Sequence, residues 1–389
     1  MTGTLPLEGI TVVALEQAVA GPLATRHLAD LGARVIKLEK PGEGDFARRY
    51  DEAVRGLATH FVWLNRGKES LEVDLKSARG REVVTALLAR ADVFLHNTAP
   101  GVVARLGLDG ATLRAADPRL VVVNISGYGT AGPRKDRKAY DMLVQAESGM
   151  VAVTGTPDTP TKTGVPSADI AAGCYSAMSV LGALFRRERT GEGAEIDVSM
   201  FDAAVEWMGH PLMMQLYGGR QIPRMGLSHA AIAPYDAYPT SDGQVLIGVQ
   251  NDRGWAALVT DVFDAPDYVS DPRFATNVAR VAHRTELDEL VGSFTRRFTT
   301  ADLDGRLAAA GIPAAQVNGT AEVLDHPQLV DRDRWRPVAS EVGELRSVLP
   351  PMTFTDVELP MGPVPALGEH TDAILTELGL VTEKETSDA

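Results

Sequence analysis

Over roughly the first half of the chain, short runs of apolar, β-branched residues alternate with stretches in which apolar residues return every three or four positions. The first kind, at residues 10–15, 34–38, 70–75, 93–96 and 120–126, predicts strands; the second, at 22–31, 77–90 and 109–117, predicts helices between them. Strands joined by helical crossovers make a largely parallel sheet, so the expected large lobe is α/β and Rossmann-like. Further on, Ile170, Cys174, Met178, Leu181 and Phe185 repeat at helical spacing, predicting a helix that opens at or just after Asp169. A long helix is expected at about 197–217, with a Met-rich face (Met200, Met208, Met213, Met214) suited to core or lobe contact.

The texture then changes. Residues 218–234 lack a clear period and read as a linker. A hairpin-like pair at 236–239 and 244–249 surrounds Ser241-Asp242-Gly243, and helical patterns follow at 253–263, 283–297 and 301–310. This predicts a smaller α+β lobe over 235–325, beside a large domain of 1–217 that is completed by 326–389. Repeated proline at 349–365 marks a covering segment, because proline continues neither a helix nor a central strand. A short helix is expected at 371–378, and the charged tail after Thr382 reads as frayed.

A chain of 389 residues exceeds the ~250 to 300 at which one core stops growing, which also favours two lobes. With 44% apolar and 23% charged residues, it has the composition of a soluble globular protein. The net charge of −14 argues against nucleic acid as a partner, so an anionic ligand would need a local basic cluster. Cys174 is the single cysteine, which excludes an intrachain disulfide and a Cys-rich zinc site and fits a reducing compartment. No secretory pattern opens the chain and no apolar run reaches ~18 residues, so the expectation is a cytoplasmic protein without a membrane span.

Asp169 ends the polar approach Lys162-Thr163-Gly164-Val165-Pro166-Ser167-Ala168-Asp169. At a helix N-terminus, free amide donors and the helix dipole favour a carboxylate, so Asp169 is expected to be ionised and exposed, suited to act as a nucleophile; the plainer alternative is an ordinary N-cap. Basic residues cluster near strand ends or in the loops after them: Lys37, Lys40, Arg48, Arg49, Lys76, Arg105, Arg134, Lys135, Arg137 and Lys138. In an acidic chain that placement suggests a polyanion carrying several phosphates. Gly127-Tyr128-Gly129-Thr130-Ala131-Gly132 matches half of a dinucleotide fingerprint, but the Pro-led charge run after it is no amphipathic helix, so a ligand-binding glycine loop is the better reading. The eight histidines show no metal-ligand spacing, so no metal is expected, and no G-x-S-x-G elbow is present.

Several ordered motifs carry a resemblance. Leu7-Glu8-Gly9-Ile10, Ala20-Gly21-Pro22, Gly32 through Gly42 with Gly44-Asp45, Asn65-Arg66-Gly67-Lys68-Glu69-Ser70 and Asp74-Leu75-Lys76 are followed by His96-Asn97-Thr98-Ala99-Pro100-Gly101, Ser126-Gly127-Tyr128-Gly129, Ala139-Tyr140-Asp141, Gly191-Glu192-Gly193 and Leu367-Gly368-Glu369-His370-Thr371. Together they resemble the class III CoA-transferases of CaiB/BaiF type, a superfamily that includes formyl-CoA transferases and α-methylacyl-CoA racemases. The resemblance implies transfer of coenzyme A, as a co-substrate, between carboxylic acids on a two-lobed chain that pairs into an interlocked homodimer. It implies that Asp169 is the nucleophile, that Lys40, Asn97, Thr98, Lys76, Arg105 and Lys138 meet CoA, and that Tyr140 lies beside the nucleophile.

Tyr140 stands where racemases place a histidine, and a phenol is a poor substitute for an acid–base group that must exchange an α-proton. Racemase is therefore the second reading, and a non-catalytic acyl-CoA-binding protein the third. The poly-glycine loop of formyl-CoA:oxalate transferases has no counterpart at 225–234, and their active-site glutamine is replaced by Val19. The expectation is a succinyl-CoA-like donor and a small carboxylic or dicarboxylic acceptor.

Overall fold

Residues whose side chains are apolar on both faces of the chain form the middle of a six-stranded parallel sheet in the computed structural model, which describes residues 3–380. The strands are β1 (Thr11–Leu15), β2 (Arg34–Glu39), β3 (Lys68–Glu72), β4 (Val93–His96), β5 (Val121–Ser126) and β6 (Glu195–Ser199). Their order is β3-β2-β1-β4-β5-β6. Val13 pairs with Ile36 on one side and Phe94 on the other, and Leu95 pairs with Val123. The order reverses between β1 and β4, the point where such sheets open a crevice at their carboxyl ends.

Up to residue 218 the helices, in chain order, are α1 (Ala20–Asp30), α2 (Thr59–Asn65), α3 (Ala78–Leu88), α4 (Val102–Leu106), α5 (Gly110–Ala116), α6 (Asp141–Glu147), α7 (Met150–Val153), α8 (Ser167–Thr190), α9 (Met200–Trp207) and α10 (Gly209–Gly218). One core packs Val13, Ile36, Leu38, Phe94 and Val122 against Val83, Val84 and Leu87 of α3, with Ile374 of the helix Thr371–Glu377 closing it. Gly67 donates to the Pro363 carbonyl at 2.7 Å, which ties the proline-rich strip to the head of β3.

Two expectations are corrected here. Residues 195–199 are not helical: they form the sheet edge beside β5, pairing Ile125 with Val198, and the helix expected at 197–217 is two helices, α9 and α10. Ser199 starts α9 by accepting the Asp202 N–H at 3.1 Å. In α8, the bulky stripe Met178, Leu181 and Phe185 is exposed, while the small residues Ala168, Ala171, Ala172, Ser176 and Ala177 face inward. Small side chains allow α8 to lie directly on α1: a Cβ on Gly173 would come within 2.8 Å of the Ala20 carbonyl oxygen. Contrary to the expected absence of a long apolar run, α8 is long and apolar enough to cross a membrane by length and composition alone, but half of its apolar window is buried in the fold, as in an ordinary core helix.

The chain divides into two units. The first comprises the residues up to Met150, Lys162–His210 and the chain from Val330; the second is Val151–Thr161 with Pro211–Leu329. The division falls at His210, not at 217, and assigns Val151–Thr161 to the smaller unit. That unit holds an antiparallel sheet of β7 (Tyr235–Pro239), β8 (Gln244–Gly248) and β9 (Ala314–Ala315) over a core including Trp255, Phe274, Leu287, Val291 and Leu303. The charged tail after Thr382 lies outside the described residues.

Candidate active site

Two hollows of about 800 and 570 Å³ meet at the carboxyl ends of the strands, sharing Leu15, Gln17, Thr98 and Val102. Both belong to the first unit. Asp169 lines the larger, with Val19, Ala20, Tyr50, His60, Tyr140 and Asp141 among its neighbours.

Asp169 is the third residue of α8 but does not cap it. Asp141 does: its Oδ1 accepts the backbone N–H groups of Ala168 at 2.8 Å and Asp169 at 3.2 Å. Gln145 fixes that carboxylate, donating to Oδ2 at 2.6 Å, and itself accepts the Thr163 N–H at 3.0 Å. The Asp169 carboxylate instead lines the larger hollow beside Ala20, at the start of α1. It is half-buried. Burial first, and the neighbouring Asp141 carboxylate second, push its pKa up to about 7, against the smaller lowering effect of the Ala20 backbone amide. The expected exposed and readily ionised aspartate is thus corrected. The helix amides that would have favoured its charge are already engaged by Asp141.

The segment Gln17 to Ala20, which lines the hollow beside Asp169, is held from two sides. Asn97 accepts the Gln17 N–H at 2.9 Å and donates to the Gln17 carbonyl at 2.8 Å; Asp45 accepts the Ala18 N–H at 3.1 Å. Gly21 is required where they converge, since a Cβ there would lie 2.9 Å from Glu16 Cβ and 3.1 Å from Asn97 Cγ. Below the segment, Lys37 pairs with Asp45 at 2.9 Å and Glu16 at 3.4 Å, and Lys68 pairs with Glu16 at 2.7 Å, all fully out of solvent. Burial pushes the Lys68 ammonium down to about 7 despite Glu16.

The basic cluster is accordingly smaller than the sequence suggests. Lys37 is buried and paired, Arg48 grips Glu39 at 2.9 and 2.7 Å, Arg49 donates to the Glu43 carbonyl, and Arg134 and Arg137 share Glu147 at 2.8 and 3.2 Å. Lys40 and Lys76 line the smaller hollow, Lys40 pairing with Glu43. Thr98 belongs to both hollows, while Asn97, Lys138 and Tyr140 line the larger; Tyr140 is 66% exposed. Arg105 is exposed on α4, beside Gly101 and outside the lining of either hollow. After β5 the glycine loop leads into no helix before α6, and Gly127 is needed because a Cβ would collide with Ala139. Among the described residues, no three His, Cys, Asp or Glu side chains are arranged to hold a metal ion.

Asp45, Tyr50, Asp141 and Gln145 were not singled out as site residues by the sequence. Asp141 and Asp45 stand inside quoted motifs, Ala139-Tyr140-Asp141 and Gly44-Asp45, yet nothing in one sequence says what a motif aspartate caps. Tyr50 is pushed up to about 12 by burial, with Asp45, Asp169 and Tyr140 adding to it, which places its phenol within the field of the nucleophile candidate.

The model of the CoA-transferase family III matches residues 7–371. A succinate–glutarate CoA-transferase of Agrobacterium fabrum is 35% identical over 391 residues, covering 98% of each chain. An acetyl-CoA:oxalate CoA-transferase of Acetobacter aceti is 37% identical over 330 residues, covering 84% of this chain and 85% of its own. The crystal structure of a CaiB/BaiF family protein from Brucella suis superposes with a TM-score of 0.85 at 37% identity, covering 97% of this chain and all of that one. With the crevice at the strand ends and a match over nearly its whole length, the chain belongs to CoA-transferase family III, an enzyme class that uses coenzyme A as co-substrate.

Proposed function

We propose that this enzyme moves coenzyme A from an acyl-CoA to a small carboxylate through covalent intermediates on Asp169. The Asp169 carboxylate attacks the thioester carbonyl; the C–S bond breaks, giving a mixed anhydride and the CoA thiolate. The thiolate then attacks the Asp169 carbonyl carbon, the bond from that carbon to the bridging oxygen breaks, and the donor acid leaves as a carboxylate carrying that oxygen. The acceptor carboxylate attacks the resulting aspartyl thioester and runs both steps in reverse. Every group that leaves or attacks is already an anion, so no proton is gained or lost.

The observation that carries this reading is a carboxylate at the head of α8, lining the cleft and relieved of capping by Asp141. A carboxylate of raised pKa is a stronger nucleophile than an ordinary one. The backbone amide of Ala20, in the same hollow, is the donor we assign to the oxyanion that forms when Asp169's own carbonyl becomes tetrahedral. Lys40, Lys76, Asn97, Thr98 and Lys138 line the path for CoA, with Arg105 reserved for its outer phosphates and Tyr140 flanking the acyl group.

Glutarate and oxalate, in the names of the two relatives, are both dicarboxylates, which supports a small dicarboxylic acceptor; a succinyl-CoA-like donor follows the first of them. The exposed stripe Met178, Leu181 and Phe185 supports an interlocked homodimer. The lone cysteine and acidic composition support a cytoplasmic setting.

Mixing the enzyme with succinyl-CoA and digesting it is expected to yield a peptide bearing CoA at Asp169, and Asp169→Ala is expected to bind CoA without exchanging it. Turnover by Asp169→Ala at the wild-type rate would remove the proposal.

A further inference from the structure

The transfer chemistry uses none of the charged side chains packed beneath the cleft, yet one of them reaches into it. Asp45 is fully buried, and each of its oxygens is committed. Oδ2 accepts the Lys37 ammonium at 2.9 Å; Oδ1 accepts the N–H of Ala47 at 2.9 Å and of Ala18 at 3.1 Å. Its own N–H donates to Glu39 Oε1 at 2.8 Å, so the carboxylate is fixed from several directions.

Ala18 stands two residues before Ala20 and has φ +63°. A non-glycine residue in that left-handed region costs on the order of 1 kcal/mol, and the conformation persists only where the surroundings enforce it. Two side chains enforce it here: Asn97 through Gln17, and Asp45 through Ala18.

We propose that Asp45 is a positioning residue of the transfer reaction: its carboxylate holds the left-handed turn at Ala18 and so fixes the Ala18–Ala20 backbone that lines the larger hollow together with Asp169. The proposal rests on Asp169 as nucleophile. Asp45 acts through the backbone, keeping the wall of the hollow beside Asp169 in place, and a small misplacement there costs rate.

Removing Asp45 alone would leave Lys37 short of a counter-charge and confuse misfolding with misplacement. Lys37→Met combined with Asp45→Leu removes the buried pair together, whereas Lys37→Met alone keeps the Asp45 bond to Ala18 and reports, through its melting temperature, the cost of leaving that buried carboxylate without its ammonium. The readouts are the rate at which CoA becomes attached to Asp169 from saturating acyl-CoA, the melting temperature and the affinity for CoA. Lys37→Met is expected to acylate near the wild-type rate. The double variant is expected to melt with Lys37→Met and to acylate on the order of 10- to 100-fold more slowly, with its Kd for CoA changed by less than about three-fold.

Wild-type acylation in the double variant, or equal slowing in Lys37→Met, would overturn the proposal. Absence of any CoA adduct on the wild-type enzyme would overturn the Asp169 reading, and this proposal with it. If the double variant does not fold, Asp45→Ala assayed well below its own melting temperature carries the same two outcomes.

Discussion

Asp169 shows how one side chain is tuned by what its neighbours have already claimed. A carboxylate three residues into a helix would normally be stabilised as an anion by free amides, and its pKa would fall. Here Asp141 occupies those amides and adds a like charge, so burial wins and the pKa rises to about 7. With Asp169 as the proposed nucleophile, the reactive form is the ionised one, so kcat/KM is expected to fall as pH drops below about 7. Asp141→Asn keeps an acceptor oxygen for the Ala168 and Asp169 amides but removes the charge that helps raise the Asp169 pKa. The acid limb of the pH profile is expected to move to lower pH in that variant. A limb that stays in place or moves upward would show that another group titrates. The sequence made Asp169 visible through a turn-rich approach and a helical repeat after it. It could not show Asp141 as the cap, because a cap donated from another helix leaves no mark at the spacing of either one.

At the level of elements, the contact of α1 with α8 is what sets Ala20 and Asp169 in the wall of one hollow. Gly173 sets that contact, its absent Cβ leaving room for the Ala20 carbonyl at 2.8 Å and for Leu23 atoms at 3.1 Å. Gly173→Ala is expected to gain the usual helix-propensity benefit and lose more to overpacking, for a net destabilisation of about 1–3 kcal/mol in chemical denaturation, with reduced transfer rate. Gly305, inside the helix Thr300–Ala309 with nothing within 4 Å of its missing Cβ, is the control: Gly305→Ala should be neutral or stabilising by up to about 1 kcal/mol. Equal effects at the two sites would mean that the helices can part without consequence. Strands β1, β2, β4 and β5 were legible because each is a compact, largely apolar run, such as Val93–His96, whereas β3 reads Lys-Glu-Ser-Leu-Glu and lies at Lys68–Glu72, two residues before the expected start at 70 and ending short of 75. The sixth was not legible. Glu195 and Asp197 alternate with Ile196 and Val198 at the sheet edge, and the methionine-rich helices that follow at once drew the strand into a helical pattern. Likewise the repeat from Ile170 to Phe185 located α8 correctly but misled about its faces. Bulky side chains are normally a core signal, and here the core face is made of alanine, glycine and serine.

The same inversion has a consequence for the whole molecule. Met178, Leu181 and Phe185 present a continuous apolar stripe on α8, with Phe185 68% and Met178 57% exposed, and Trp207 of α9 is 48% exposed. A contiguous stripe of this kind marks an interaction surface, because leaving it in water forfeits roughly 25 cal/mol for every Å² that a partner could cover. A second copy of the chain is the partner that the homodimer reading supplies, and a self-complementary patch around a two-fold axis brings each stripe against its own counterpart. The native protein is therefore expected to sediment at about twice its 41.5 kDa chain mass. Phe185→Glu places a charge where burial is required, so it should shift the species towards a single chain and lower the melting temperature at dilute concentration, since a protein stabilised by association loses stability as it is diluted. Phe185 lines neither hollow. If Phe185→Glu sediments as the wild type does, the stripe is not the dimer contact. If it dissociates and also loses transfer activity, the second subunit is needed to keep α8, and with it Asp169, in the geometry that the chemistry requires.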